Sequence, residues 1–290
     1  MSKEELIEVF KDTEEFYTYN EDSLVTTSVE CCQQLTAIYD SDIVVDIQNP
    51  IYKEPALVKV TNRDTLTAAE EYVKLTEINE ANNDGDEFEG FVAILNFASA
   101  TNPGGGVTKG SSAQEECLCR CSTLYPALNQ KKCWDKYYNI NRAANSNLGS
   151  DTIIYTQDVL VFKDKDYKYL NDKFCVDVIT CAAPNLRDKP NNSYNNGASK
   201  NQLTLTDEEL YNIHVNRAKR IFEVANKNCV DYLVLGAFGC GAFKNNPEIV
   251  AKAYKDVIPL YARNFKVIDF AIIDGKYSNN YEVFKRVLLQ

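Results

Sequence analysis

The amino-acid sequence predicts a three-layer α/β/α fold with a mixed central sheet. Short runs rich in Val, Ile, Leu, Phe and Tyr have the character of strands, and helical patterns lie between several of them. Four of these runs are nearly continuous apolar stretches, which is typical of strands covered on both faces. The predicted strands are residues 56–62, 91–97, 152–162, 174–182, 230–238 and 266–274.

Capping signals and apolar periodicity predict the helices. Thr206 and Glu209 stand in capping-box register for a helix over residues 207–227, in which apolar positions fall on one stripe. Asn246 followed by Pro247 predicts the start of a helix that ends near residue 262. Two further helices are predicted at residues 63–75 and 279–289.

The chain is predicted to be one domain, residues 51–290, preceded by an N-terminal helical extension, residues 1–50. The first 45 or so residues carry helical patterns and no strand-rich run. Two segments are predicted to be long loops, an acidic one at 76–90 and a polar one at 185–204. Loops of this length often serve as lids over functional sites, or are disordered.

The composition of the 290 residues is that of an ordinary globular protein, with 44% hydrophobic and 25% charged residues. No apolar run approaches the roughly 20 residues that span a bilayer, so no membrane association is expected. The acidic, amphipathic start does not have the pattern of a secretory signal peptide. We therefore expect a protein of the cytoplasm or nucleus that is not secreted.

The ten cysteines and the single histidine are possible metal ligands, and the cysteines could also form disulfides. The cysteines contain no C-x-x-C pair, and His214 has no metal ligand at motif spacing. Reduced and mostly buried thiols are therefore expected, with no metal and no cofactor. The net charge of −11 argues against direct nucleic-acid binding, which depends on neutralising phosphates with Lys and Arg. A polyanionic ligand would have to be held locally by backbone amides.

One glycine-rich loop follows the predicted strand 230–238, in the stretch VLGAFGCGAFKNNPE. Gly236, Gly239 and Gly241 permit close backbone approach, so successive N–H groups can converge on an anion such as phosphate. The same glycines are also compatible with a plain tight connection. The spacing is not the Rossmann fingerprint, because the third glycine of G-x-G-x-x-G is missing.

A second glycine-rich loop, NPGGGVTKGSSAQEE, follows strand 91–97. It is not a Walker A loop, since no G-K-[ST] occurs at the required spacing. A helix predicted to begin near Ser111 or Ser112 would place Glu115 and Glu116 in its first turn. Acidic residues are common there for purely structural reasons. A carboxyl pair beside a glycine loop is also what glycosidic cleavage requires.

Together these motifs resemble a known family. A triple glycine followed after a short loop by Gln-Glu-Glu resembles the signature of the macrodomain-type poly(ADP-ribose) glycohydrolases, and the stretch LGAFGCGAFKNNP is similar to their diphosphate-binding loop. NFASATNPGGGV, VTNRDTLTAA and VITCAAPN resemble segments of macrodomains and of the shorter, bacterial-type branch. The resemblance covers residues 56–275 and implies a macrodomain fold that binds ADP-ribose in a cleft.

The resemblance also implies roles for individual residues in hydrolysing the ribose–ribose O-glycosidic bond of poly(ADP-ribose), mainly from chain ends. Glu116 would be the general acid and base, and Glu115 would hold ribose hydroxyls. Asp64 matches an adenine-binding position, although it would equally cap the following helix. The remaining substrate-binding residues implied are Asn102, Gly104, Gly105, Gly106, Val107, Gln114, Gly239, Cys240, Gly241, Ala242 and Phe243, with Phe238 as the alternative to Phe243.

Three other functions stay open at this point. The chain could be a non-catalytic ADP-ribose reader, a hydrolase of mono-ADP-ribosylated protein or of ADP-ribose 1″-phosphate, or a nucleotide-dependent structural module. The carboxyl pair favours a poly(ADP-ribose) glycohydrolase over these. The expected partners are poly(ADP-ribose) or ADP-ribose and ADP-ribosylated proteins, and the chain is expected to be monomeric.

Overall fold

The computed structural model describes residues 1–42, 44–45, 50–82, 90–190, 202–275 and 278–290. Parts of the two predicted long loops, residues 83–89 and 191–201, lie outside the described residues. The chain divides into two compact units. The first combines Met1–Asp42 with Asn96–Leu203, and the second combines Ile43–Leu95 with Thr204–Gln290. The predicted boundary at residue 50 stays a prediction.

Helices and strands alternate along most of the described chain, as predicted. The helices are α1 (Lys3–Tyr19), α2 (Ser23–Leu35), α3 (Thr65–Asn82), α4 (Gln114–Cys121), α5 (Leu124–Leu128), α6 (Lys131–Cys133), α7 (Asn139–Ala144), α8 (Asp207–Lys227), α9 (Pro247–Tyr261) and α10 (Asn280–Leu288). The strands are β1 (Ala37–Tyr39), β2 (Leu57–Thr61), β3 (Phe91–Phe97), β4 (Ile153–Lys163), β5 (Tyr169–Cys181), β6 (Val230–Leu235) and β7 (Val267–Ala271). None of the described helices is long and apolar enough to cross a membrane.

In the first unit the strands are antiparallel. Strand β4 pairs with β1 on one side and with β5 on the other. The turn between β4 and β5 is closed by Asp164, whose Oδ1 accepts hydrogen bonds from the backbone N–H groups of Asp166 and Lys168. Helix α1 packs on this ladder through Phe16, whose ring stacks on Phe162 with the centroids 4.4 Å apart.

In the second unit the strands are parallel. Strand β6 pairs with the first residues of β3 and with β7, and β7 pairs with β2. Every residue of β6 and β7 is buried, as expected for strands covered on both faces. Helix α8 begins at the predicted capping box of Thr206 and Glu209. Antiparallel strands in one unit and parallel strands in the other confirm a mixed α/β fold.

Four local expectations are corrected. Helix α3 continues to Asn82, because residues 76–82 include helix formers that were assigned to an acidic loop. Strand β5 begins at Tyr169, five residues earlier than expected, since it forms a hairpin with β4. Helix α4 begins at Gln114 and not near Ser111 or Ser112. Strand β1 and the short helices between residues 124 and 144 were missed.

Candidate functional site

The triple-glycine loop is a series of tight turns between β3 and α4. Gly104 and Gly105 have φ values of +64° and +59°, in the left-handed region where a Cβ is unfavourable. The N–H of Gly105 donates to the carbonyl of Asn102 at 3.1 Å, and that of Val107 donates to Gly104 at 3.1 Å. The loop therefore needs glycine for its own backbone conformation.

The same glycines lie directly against the two glutamates. A Cβ on Gly105 would be 2.6 Å from Oε1 of Glu116 and 3.0 Å from Oε2 of Glu115. A Cβ on Gly106 would collide with the hydroxyl of Ser111. The resemblance implied that these glycines bind the substrate. The structure shows that they also make room for the protein's own carboxylates.

Glu115 is held at both carboxylate oxygens. Its Oε2 accepts a hydrogen bond from the N–H of Ser99 at 2.7 Å, and its Oε1 accepts a longer one from the amide of Asn96 at 3.4 Å. Burial raises the pKa of Glu115 well above its usual range, and the neighbouring carboxylate of Glu116 raises it further. The N–H donors oppose this shift, but burial has the larger effect.

Glu116 is held at only one oxygen. Its Oε1 accepts a hydrogen bond of 2.9 Å from the N–H of Gly106, whereas its Oε2 is buried and has no hydrogen-bond partner in the described part of the chain. The residue is 7% exposed. A buried carboxylate oxygen without a partner is costly, so this atom is a candidate for contact with a ligand.

Helix α4, which carries both glutamates, is fixed to the glycine loop by Arg120. The guanidinium is fully buried and donates to the carbonyls of Val107 at 3.3 Å and Ser111 at 2.6 Å. It also donates to the carbonyl of Leu6 at 3.0 Å, which connects α1 to the same loop. The use of Ser111 in this loop explains why α4 begins two or three residues later than its serines suggested.

Asn102 and Gln114, both predicted to bind substrate, are engaged by the protein itself. Arg142 donates to Oδ1 of Asn102 at 2.6 Å and to the carbonyl of Thr101 at 2.8 Å. The Arg142 guanidinium lies over the ring of Trp134, 4.5 Å from its centroid. Gln114 Oε1 accepts a hydrogen bond of 2.8 Å from the N–H at the end of β3.

The second glycine loop and Asp64 belong to the second unit. Gly239 has a φ of +76°, whereas a Cβ added to Gly241 would meet no atom within 4 Å. Phe238 is buried and Phe243 is half-buried. Asp64 caps α3, since its Oδ1 accepts from the N–H of Thr67 at 3.0 Å. The role of Asp64 in adenine binding stays a prediction.

All ten cysteines lie in the described residues and are free thiols. Burial and the nearby glutamates raise the pKa of Cys119, beneath the site, well above its usual range. No group of three or more His, Cys, Asp or Glu side chains among the described residues is arranged to hold a metal ion.

Comparison with known proteins identifies the family. Residues 4–164 match the family described as microbial-type PARG, catalytic domain. The chain belongs to this family. No curated protein is significantly similar to it. The resemblance drawn from the triple glycine, the Gln-Glu-Glu motif and the second loop is thereby confirmed.

Solved structures of bacterial family members are similar over nearly the whole chain. Poly(ADP-ribose) glycohydrolase (PARG) from Thermomonospora curvata is 26% identical with a TM-score of 0.80, over 98% of this chain and 99% of that one. The same enzyme bound to the inhibitor ADP-HPD is 27% identical with a TM-score of 0.77, over 98% and 99%. PARG from Deinococcus radiodurans in complex with ADP-ribose is 29% identical with a TM-score of 0.73, over 90% and 96%.

Within the first unit, the structure places Gly105 and Gly106 against the glutamates, and the carbonyl of Asn102 accepts the hydrogen bond from Gly105. Sequence reasoning missed Asn96, Ser99 and Arg120, which hold Glu115 and helix α4 in place. It also missed Arg142, which holds Asn102. Asn96 and Ser99 stand in the stretch NFASATN, which was noted for its resemblance but not for these side chains. Nothing in the sequence near Arg142 connects it with Asn102.

Proposed function

We propose that this chain hydrolyses the ribose–ribose O-glycosidic bond of poly(ADP-ribose) and releases ADP-ribose, with Glu116 as general acid and base. Membership of the microbial-type PARG family supports the reaction. The observation that carries the choice of residue is the contrast within the carboxyl pair. Both oxygens of Glu115 accept N–H hydrogen bonds, whereas Glu116 Oε2 is buried and has no partner among the described residues.

Burial and like charge make a proton available in this pair. Two carboxyl groups this close and this deeply buried do not both ionise readily, which is why the pKa of Glu115 is raised. Oε2 of Glu116 is the carboxylate oxygen of the pair that is buried without a hydrogen-bond partner among the described residues, so it is the atom placed to exchange a proton with a ligand.

The chemistry follows from that placement. Glu116 Oε2 donates its proton to the ribose oxygen that leaves, as the C1″–O bond breaks and an oxocarbenium-like centre develops at C1″. The Glu116 carboxylate then takes a proton from a water molecule whose oxygen bonds to C1″. The products are ADP-ribose and a polymer shortened by one unit, and Glu116 regains its proton.

Glu115 would orient the ribose of the substrate. Its fixed carboxyl group can accept a hydrogen bond from a ribose hydroxyl while Ser99 and Asn96 keep it in place. Asn102 and the backbone of the triple glycine would lie beside the same ribose, while the N–H groups of Gly105 and Gly106 keep their hydrogen bonds to Asn102 and Glu116. In the second unit, Gly239, Cys240, Gly241 and Ala242 stay the residues expected to bind a diphosphate, and Phe243 stays the residue expected to contact a ribose.

We further infer that cleavage occurs mainly at chain ends. The net charge of −11 disfavours contacts with distant, negatively charged polymer units. Backbone amides, in contrast, can hold one or two phosphates without a basic surface. Digestion of polymer labelled at one end would show progressive loss of single units, whereas internal cutting would produce long fragments early.

The decisive experiment compares wild type with Glu116→Gln, which keeps the shape of the side chain and removes the acid. Poly(ADP-ribose) hydrolysis should fall by about 10²–10⁴-fold, the usual contribution of a positioned acid or base. ADP-ribose binding, measured by titration calorimetry, should be kept. Glu15→Gln, an exposed carboxylate on α1, is the matched control and should retain full activity.

Each other outcome has a distinct meaning. Near wild-type hydrolysis by Glu116→Gln would remove Glu116 from the mechanism. ADP-ribose binding by both proteins with hydrolysis by neither would make the chain a reader of ADP-ribose. Release of ADP-ribose from mono-ADP-ribosylated protein, but not from the polymer, would reassign the substrate.

A further inference from the structure

The single histidine of the chain is buried behind the second glycine loop. His214 lies on the inward stripe of α8 and is 1% exposed. Its Nε2 is 2.8 Å from Oδ1 of Asn245, which follows the loop. The ring of Phe238, at the start of the loop, meets the imidazole edge-on with the centroids 5.8 Å apart. All three residues belong to the second unit.

The hydrogen-bond pattern determines which nitrogen of the imidazole carries the proton. The Asn245 amide donates to the carbonyl of Gly239 at 3.1 Å and to that of Phe243 at 3.3 Å. With the Nδ2 hydrogens of Asn245 directed at these two carbonyls, its Oδ1 must accept from His214. The Nε2 of His214 is therefore the protonated nitrogen, and the imidazole is the donor of this hydrogen bond.

Asn245 thereby joins the two ends of the loop by hydrogen bonds. Its side chain bonds the carbonyls of Gly239 and Phe243, and its own backbone N–H donates to Gly239 at 3.0 Å. The loop between them includes Gly241 and Ala242, which are exposed. The orientation of the Asn245 side chain depends on its Oδ1, the atom to which His214 donates.

The surroundings keep the imidazole neutral. Burial lowers the pKa of His214 to about 4, the Asn245 hydrogen bond opposes that shift, and the charge of Arg217 adds to it. Nδ1 is buried without a hydrogen-bond partner among the described residues, so a second proton would find no acceptor there. Above about pH 5 His214 is thus a neutral donor with one defined tautomer.

We propose that His214 is a positioning residue for ligand binding, which holds the loop from Gly239 to Phe243 in its binding conformation through Asn245. The inference rests on the proposed function, in which this loop binds the diphosphate of ADP-ribose. It adds a residue that lies outside both glycine motifs and acts on affinity and not on the chemical step.

The test is a pair of substitutions at one position. His214→Gln can place its Nε2 amide near the imidazole Nε2 and restore the donor, whereas His214→Leu cannot. Losing a buried hydrogen bond that orders the loop should raise KM for poly(ADP-ribose) and Kd for ADP-ribose roughly 5- to 50-fold in His214→Leu. At saturating substrate kcat should stay within about twofold, and His214→Gln should recover most of the affinity.

Controls separate positioning from stability. Val224→Ala creates a cavity on the same helix about 15 Å from His214, so it should lower Tm and leave KM unchanged. Asn245→Ala removes the side-chain amide that bonds the two loop carbonyls, so it should raise KM as His214→Leu does. The double variant should then show little further loss, because the two residues act as one unit. If His214→Leu does not fold, His214→Phe, which keeps a ring at this position and removes the donor, replaces it in the comparison with His214→Gln.

The outcomes distinguish this inference from the proposed function. If wild type neither binds ADP-ribose nor hydrolyses the polymer, the proposed function fails. If wild type does both and the His214→Leu and Asn245→Ala variants keep its KM and Kd, the positioning role is wrong. A fall in kcat at unchanged KM would equally overturn it.

Discussion

Glu116 is bound to Gly106 by a hydrogen bond of 2.9 Å from the glycine N–H to carboxylate Oε1, so that the side chain reaches back ten residues along the chain. This bond places the carboxylate against Gly105, where even a methyl group has no space. The triple glycine and the glutamates are therefore one structural unit and not two neighbouring motifs.

This contact predicts the effect of Gly105→Ala. The added Cβ would be 2.6 Å from Glu116 Oε1, and the φ of +59° adds backbone strain. We expect kcat to fall at least 100-fold, because a small displacement of a catalytic group is costly. Measurement of initial rates with poly(ADP-ribose) checks this.

Gly275→Ala is the control for that substitution. A Cβ at Gly275 meets no atom within 4 Å, and its φ lies outside the left-handed region. It should leave both kcat and Tm unchanged. Retention of wild-type kcat by Gly105→Ala would show that the glutamates tolerate displacement, contrary to the packing described.

How much of this could be predicted from sequence depended on the range of the interactions. Strand β3 and helix α8 were predicted with their observed bounds, because apolar runs and a capping box are local signals. The start of α4 was missed because Ser111 is used by Arg120, a tertiary contact. The three-residue strand β1 is too short to show a pattern of its own.

The site followed the same rule. Glu115, Glu116 and the triple glycine were found because they form one short motif. Arg142 was missed, since it meets Asn102 from 40 positions away and no local feature marks it. A residue that supports a motif from a distant position in the sequence is not marked by any local pattern. The residues of the motif itself are.

Arg142 orients the side chain of Asn102, so its loss is expected to weaken substrate binding. Arg142→Met removes the donors to Asn102 Oδ1 and to the Thr101 carbonyl, together with the stacking on Trp134. Loss of charged hydrogen bonds of this kind should raise KM for poly(ADP-ribose) roughly tenfold, because Asn102 is no longer oriented toward the ribose. The dependence of initial rate on polymer concentration measures this.

Lys136→Met is the matched control for Arg142, because Lys136 is an exposed cation on the helical segment that precedes α7. It should keep the wild-type KM. An Arg142→Met protein that is folded by circular dichroism and has an unchanged KM would show that Asn102 is oriented without Arg142, or that it does not bind the substrate.

Gly241 allows binding to be tested apart from folding. Its φ is not left-handed and an added Cβ meets no protein atom within 4 Å, so Gly241→Ala should leave Tm within about 1 °C of wild type. If the loop backbone approaches a diphosphate, the methyl group should weaken ADP-ribose binding, which titration calorimetry would detect. Unchanged affinity would mean that the ligand does not approach this residue.

The buried carboxyl group of Asp177 on β5 is expected to make the stability of the protein depend on pH. This buried side chain accepts hydrogen bonds from the hydroxyl of Tyr155 and from the N–H of Asp158, which has a φ of +55° where the pairing of β4 with β5 shifts register. Burial raises the pKa of Asp177 to about 6, although both hydrogen bonds oppose the shift. Asp177 therefore stabilises the irregular backbone at Asp158, although its own negative charge is unfavourable because the carboxylate is buried.

The sign of the pH dependence follows from that shift. An aspartate in the unfolded chain titrates near pH 4, so the folded state binds the proton more tightly. The contribution of Asp177 to the free energy of unfolding is fully present below about pH 4 and is lost as the pH rises through about 6. The loss is on the order of 3 kcal/mol.

Asp177→Asn should remove this loss because it carries no charge at any pH. The free energy of unfolding of the variant, relative to wild type, should therefore increase between about pH 4 and pH 7.5, as measured by urea denaturation. Asp172→Asn, at an exposed position on the same strand, should show no such trend. A pH-independent difference between Asp177→Asn and wild type would mean that Asp177 is ionised in the folded protein as readily as in the unfolded chain.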